Sequence, residues 1–269
     1  MKFISIPVLA LVCFSSFSQD GKFNFGARSS GMAGASVTIR DPYSLFNNIG
    51  CLAKVMQHSV FGGYQSRYGI REFQVVGAGV VYHSEIGNAG VGFYKFGDDL
   101  YSQQKVHLAI SNQFQMVSLG VGVDLVQYTI STIGTKQALA IQFGGVAEIS
   151  SQFSFGAHIY NLNQAKLVKE TGESIPTLMK AGISWQPGSE LMINIEVEKD
   201  LDFDEVLKVG LEYQIIENVY LRTGIRTRPF VSSFGVGFSP KKFLFDYSYT
   251  GDSALGAIHE LSLAYAISQ

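Results

Sequence analysis

The residues of this chain whose type and spacing bear on chemistry are five ionisable side chains. Glu196, Lys208, Glu212, Arg222 and Asp246 fall on the polar sides of neighbouring alternating segments. Counting outward from each turn sets Glu196 beside Lys208 and Glu212 beside Arg222. Asp246 lies two strands from Arg222, with Ser233 between. Opposite charges on adjacent strands stabilise modestly and hold register. In a closed sheet such groups either fill the interior as paired polar side chains or line a path for a permeant. Asp200-Leu201-Asp202-Phe203-Asp204 has the carboxylate spacing of a calcium loop. Glu205 stands where that loop needs Gly, and no bidentate Glu follows at the right offset, so it reads as a solvated acidic loop. His58, His83, His107, His158 and His259 are scattered. They define no Ser/His/acid group, so no catalytic residue, metal site or cofactor is expected.

These charges need strands to position them. From about Met56 onward the chain runs as roughly fourteen alternating apolar/polar segments, each about ten residues long. Leu191, Ile193, Ile195 and Val197 point one way, and Met192, Asn194, Glu196 and Glu198 the other. The segments at 206–215, 219–226, 243–249 and the C-terminal stretch repeat the pattern. In earlier segments the second side is often Gly or Ala. Gly77-Ala78-Gly79, Gly120-Val121-Gly122 and Gly235-Val236-Gly237 lie at period two inside strands, without the helix and Lys of a phosphate cradle. Glycine there admits close approach or strand bending. Long connections (Gly97–Ser102, Thr129–Lys136, Asn163–Ile175, Lys199–Asp204, Thr250–Gly256) alternate with tight ones, which predicts an outer-membrane barrel rather than a soluble sandwich. Tyr247, Tyr249 and Tyr265 near strand ends suit an interfacial girdle.

Composition agrees. The 269 residues carry a net charge of -2, only 16% charged side chains, 29 Gly, 20 Phe and 13 Tyr. No basic patch for nucleic acid is implied. Lys2 followed by apolar Phe3 to Phe17 and small Ser16 and Ser18 reads as a signal peptide over residues 1–18, cleaved before Gln19. Val12 before Cys13 disfavours a lipid-attachment site, and cleavage leaves Cys51 as the single cysteine, with no intramolecular disulfide. Residues 19–55 lack strand alternation. Asp41-Pro42 reads as an N-cap and first helical residue for a helix over Tyr43–Ala53. This segment is expected as a plug or cap at the periplasmic mouth, followed by a barrel over 56–269.

The plug segment carries a pattern. Gly26-Ala27-Arg28, Gly31-Met32-Ala33-Gly34-Ala35, Asp41 and Asn48-Ile49-Gly50-Cys51-Leu52-Ala53 resemble the N-terminal region of FadL-like and PorV/PorQ-type outer-membrane proteins. That family pattern reads Asn/Gly-Ala-Arg, Gly-Met-Gly-Gly-Ala, Asp and Asn-Pro-Ala-Gly-Leu-Ala. The departures are Ala33 for Gly, Ile49 for Pro and Gly50-Cys51 for Ala-Gly.

The expected fold is therefore all-β, a transmembrane antiparallel β-barrel of about fourteen strands with a short helical N-terminal plug. The resemblance implies outer-membrane localisation in a Bacteroidetes-type cell. It offers two functions. A PorV/PorQ-like component of type IX secretion would bind translocon subunits or cargo proteins, with loops Lys166–Glu173 and Asp200–Asp204 engaged. A FadL-like channel would pass long-chain fatty acids or other hydrophobic small molecules. For the channel, Gly26, Arg28, Gly31, Met32, Gly34, Asp41, Asn48 and Leu52 would form the gating motif, and the five charged residues the lumen lining. Outer-membrane lipids are the common partner; short outer loops favour the secretion role.

Overall fold

The computed structural model describes residues 24–167, 175–252 and 255–267. The expected signal peptide, with its Cys13, and loop positions 168–173 lie outside the described residues.

A short helix α1 (Ala27–Gly31) and another, α2 (Ser44–Asn47), precede a 3-10 turn over Ile49–Lys54. Fourteen strands follow. They are β1 (His58–Arg67), β2 (Gln74–Tyr82), β3 (Asn88–Gly97), β4 (Tyr101–Phe114), β5 (Val117–Ile130), β6 (Gly134–Glu148) and β7 (Phe153–Tyr160). The second half holds β8 (Leu178–Trp185), β9 (Leu191–Asp200), β10 (Val206–Ile216), β11 (Val219–Thr227), β12 (Phe230–Phe238), β13 (Phe243–Asp252) and β14 (Gly256–Ile267). Each pairs antiparallel with its sequence neighbours, and β1 pairs with β14, from His58 opposite Ile267 to Arg67 opposite Ile258. The sheet is thus a closed barrel with no free edge.

Burial is inverted relative to a soluble protein. Leu207 is 41% exposed and its neighbour Lys208 only 3%. The same holds for Ile195 against Glu196, Leu221 against Arg222, and Leu261 against Glu260. The alternation therefore places apolar side chains outside and polar ones inside, the arrangement of a barrel that meets hydrocarbon. Tyr247 and Tyr249 stand on this exterior, where the Tyr247 hydroxyl lies 2.8 Å from His259 Nδ1.

The strands differ from the sequence reading at their ends. The connections read as Gly97–Ser102, Thr129–Lys136 and Thr250–Gly256 shrink to 98–100, 131–133 and 253–255, because polar residues extend the ladder. Thr129 meets Thr135, and Gln137 Nε2 donates to Gln127 Oε1 at 2.6 Å. One long connection persists, between β7 and β8, while 83–87 at the opposite end is as long as 201–205. The predicted long/short alternation is therefore weak, although the barrel it pointed to is present. Asp200, assigned to the acidic loop, closes β9 instead, and Asp204 and Glu205 lie 3.8 and 3.6 Å from Arg228.

The predicted helix over Tyr43–Ala53 is split. Asp41 Oδ1 accepts from Tyr43 N–H at 3.0 Å, and the helix starts at Ser44 with Tyr43 as its N-cap. Asn48 adopts an extended conformation that ends α2. Its side chain accepts from Gly50 N–H and starts the 3-10 turn.

An exterior charge tests the inversion. Ile195→Arg, in mid-strand, is expected to lower folding stability in lipid vesicles by about 2–4 kcal/mol, as for an arginine facing the bilayer midplane. An unchanged urea midpoint would mean that this face meets water.

Candidate functional site: the filled lumen

The segment from Asn24 to Val55 lies inside the barrel. Its bed is glycine. A Cβ on Gly77 would sit 2.7 Å from the Phe25 ring, one on Gly210 2.6 Å from Met32 Cβ, and one on Gly92 2.9 Å from Leu45 and Phe46. Gly120 faces the Ile49 carbonyl, Gly156 the Val37 carbonyl, and Gly31 meets Gly235 backbone to backbone. In the Gly-x-Gly repeats, Gly77, Gly120 and Gly235 are thus places where the wall gives up side chains so that the segment fits, while Gly79, Gly122 and Gly237 make room for the wall's own Phe61, Gln142 and Arg222. Within the segment, Gly26 has a φ of 108° and presses on the Tyr43 ring, a site closed to other residues.

Charges bolt the segment to the wall. Arg28 donates to Glu212 through Nε at 2.8 Å and Nη2 at 2.6 Å, a bidentate pair, and lies 3.5 Å from Asp41. Glu212 also accepts from Arg222 Nε at 2.6 Å, and Arg222 Nη1 donates to Asp246 at 2.6 Å. Burial opposes the Arg28 charge, but Glu212, with Asp41 and Asp246 behind it, outweighs burial and holds the guanidinium's pKa above its usual value.

Glu196 accepts from the N–H groups of Ser36 and Val37, each at 2.8 Å, and from Lys208 Nζ at 2.9 Å. Lys208 donates as well to Glu198 at 2.8 Å and to the Gly34 carbonyl at 3.4 Å. Met32 and Leu52 are fully buried, and Asn48 Nδ2 donates to the carbonyls of Val37 and Gly145. The eight residues of the expected gating motif and the five charged wall residues therefore meet in one space, whereas Asp204 lies in the β9–β10 turn and Tyr247 and Tyr249 stand on the exterior. The charged wall residues hold the segment rather than facing an open bore.

The registers expected for Glu196–Lys208 and Glu212–Arg222 are those observed. The position between Arg222 and Asp246 is corrected. Arg222 is opposite Gly235, Asp246 is opposite Gly237, and Ser233 lies opposite Gly224. A Cβ on Gly237 would stand 2.6 Å from both Arg222 Nη1 and Asp246 Oδ1, so the glycine is the gap through which the pair joins.

Several anchors escaped the sequence reading. Glu260 accepts from Gly26 N–H at 2.7 Å, Ser30 Oγ at 2.5 Å and Gln65 Nε2 at 2.9 Å. Glu148 receives Arg40 at 2.6 Å and Lys54 at 2.7 Å. Asn88 Nδ2 donates to the carbonyls of Leu52 and Val55, both at 2.7 Å. The histidines are also less scattered than their spacing suggests. His107 Nδ1 lies 2.8 Å from Asp124, which accepts from Gln142 at 2.7 Å, and Gln142 Oε1 lies 3.0 Å from His158. Cys51 is buried, and burial pushes its thiol up to about 12, which leaves it inert.

Apolar contacts complete the seal. Phe25, Tyr43, Leu45, Phe46, Ile49 and Leu52 from the segment cluster with Phe61, Val75, Val81, Tyr94 and Phe96 of the wall. The segment therefore has an apolar side toward β1–β4 and an ionic side toward β9–β14.

Removing one charge should expose this dependence. Glu212→Gln leaves Arg28 and Arg222 without their shared carboxylate and is expected to cost about 3–5 kcal/mol of stability in a detergent urea titration. Gly237→Val should lower the midpoint in the same direction, whereas Gly188→Ala, with nothing within 4 Å of its Cβ, should not. Equal midpoints for the three variants and the parent would refute the bolted arrangement.

No family model matches the sequence, and no curated protein matches it. Solved structures do match the fold. The chain is similar to the CymD monoaromatic hydrocarbon channel with a TM-score of 0.69 at 12% identity, covering 93% of this chain and 99% of that one. For the toluene transporter TodX of Pseudomonas putida the TM-score is 0.67 at 10% identity, covering 91% and 98%. The Acinetobacter baumannii outer membrane protein Omp33 gives 0.52 at 9% identity, covering 79% and 98%. At these identities the likeness is one of fold: this chain is built as an outer-membrane β-barrel.

Proposed function

We propose that this protein works in the outer membrane as a closed barrel that binds proteins, in the manner of the PorV/PorQ-type components of type IX secretion that its N-terminal pattern resembles. The observation that carries this reading is the inner segment, tied to the wall by Arg28–Glu212, Glu196 and Glu260. Releasing it would break the Arg28–Glu212 ion pair and strip the buried carboxylates of Glu196 and Glu260 of their segment donors together, a poor property in a gate that must open often. The turns distal to the termini fit a docking role. Apart from the β7–β8 connection they are short, and Ile70, Leu100, Ile133, Leu201 and Leu255 stand exposed in them. Cargo or translocon proteins are the partners this reading assigns.

A second reading is favoured by two observations: the fold shared with hydrocarbon channels over nine-tenths of the chain, and the apolar cluster along β1–β4. Here the segment is a gate, and a small hydrophobic molecule slips past its apolar side while the ionic side acts as the hinge.

Two measurements separate the readings. In planar bilayers the full chain should be electrically silent and a variant lacking residues 24–54 should conduct, because the segment occupies the lumen. In cells, deletion of the protein should leave secreted cargo in the periplasm while uptake of toluene or decanoate is unchanged. A normal secretome with reduced uptake would exchange the two readings.

A further inference from the structure

A cavity of about 70 Å³ lies within the barrel above the inner segment, at the end away from the termini. It is bounded by the segment's Asn24, Ser30 and Gly34 and by walls from β1 and β9–β14. At about 10–15 Å³ per water on this measure, it holds several waters or one small polyatomic group.

Its electrostatics are uneven. Lys208 is engaged by Glu196 and Glu198, and Glu198 also has Lys180 at 3.7 Å. Asp252 Oδ1 accepts from Leu255 N–H at 3.2 Å. Two guanidinium groups, Arg67 and Arg226, complete the lining. Arg67 Nε donates to Gln65 at 2.5 Å, and its guanidinium lies 5.3 Å from the Phe96 ring centre. The Nε of Arg226 is buried and makes no hydrogen bond among the described residues. A buried guanidinium donor left unmatched is costly, and its natural partner is an oxyanion. Beside it, Ser233 and Thr250 share one hydrogen bond at 2.9 Å, which leaves one of the two hydroxyl protons free to turn toward the cavity.

We propose that this cavity is a binding site for a small oxyanion, a carboxylate or phosphate group, held by Arg226 with Arg67 and the Ser233–Thr250 hydroxyl pair. As a free-anion site it goes beyond both functional readings; as a site for an amphiphile's head it rests on the channel reading and deepens it. The group arrives either as a free anion or as the head of an amphiphile. A cavity of this size with charged walls accepts the head and leaves any chain outside it.

The test uses the full chain in neutral detergent without phosphate. Calorimetric titrations with inorganic phosphate, acetate and octanoate are compared for the parent, Arg226→Gln and Ser233→Val, each checked for the heat-modifiable gel shift of a folded barrel. Saturable binding of at least one anion is expected, weakened about tenfold or more in Arg226→Gln through loss of a charge-assisted hydrogen bond. Octanoate tighter than acetate assigns an amphiphile head; phosphate or acetate binding as well as octanoate assigns a free anion. No saturable binding in the parent overturns the proposal. So does binding that both variants retain at parental strength. If Arg226→Gln does not fold, Ser233→Val, which fills the cavity with methyl groups, decides alone.

Discussion

Closure of the sheet is the constraint on which everything else here depends. A strand that meets hydrocarbon must pair on both edges, because lipid offers its backbone no partner. Pairing β1 to β14 meets that demand and fixes the circumference. It also fixes an interior. About eight strands enclose a space that their own side chains fill, while about sixteen to eighteen leave an aqueous channel. Fourteen strands fall between, with more interior than wall side chains can occupy. The chain fills the difference with its own first described residues.

Two kinds of surface then have to match. Where the segment comes nearest, the wall is glycine, so that backbone lies against backbone at Gly31–Gly235 and along Gly210 and Gly224 against Met32. Where space remains, the wall supplies carboxylates, and the segment answers with N–H groups and Arg28. Buried carboxylates such as Glu196 and Glu260 would be costly alone. Each is engaged by several donors at once, two on Glu196 from the segment's own backbone. The segment and the charged wall thus answer each other, each supplying the hydrogen-bond partners that the other buries.

The barrel was legible because period-two alternation survives almost every strand, and the ion pairs across single hairpins were legible because a tight turn such as Glu217-Asn218 sets register by counting. Arg222–Asp246 shows where counting stops. It spans an intervening strand, the count put Ser233 two positions from Gly235 and four from Gly237, and glycine gives no hint of the side chains it lets past. Glu260 and Glu148 were harder still. They look like any inward carboxylate, and their partners sit in a stretch with no period, so nothing local connects Gly26 or Arg40 to them. The strand ends were misread for a different reason: Gln, Thr and Ser beyond the apolar band look like loop, yet they continue the ladder by pairing with one another. That residues 19–55 stand apart from the strands was evident; that Gly26, Arg28 and Gly31 bear on β14, β10 and β12 was not.

The anchoring contacts join the two extremes of the chain: Gly26 to Glu260, Arg28 to Glu212, Ser36 to Glu196. Residues that precede every strand therefore wait for partners on β9, β10 and β14, far along the chain. Loop closure over such separations is slow. An assembling sheet that has not yet gained those strands holds an unseated, partly apolar segment and a row of unanswered glycines. Seating the segment and sealing β1 to β14 then become one cooperative event, and a barrel that closes early shuts its own first residues out.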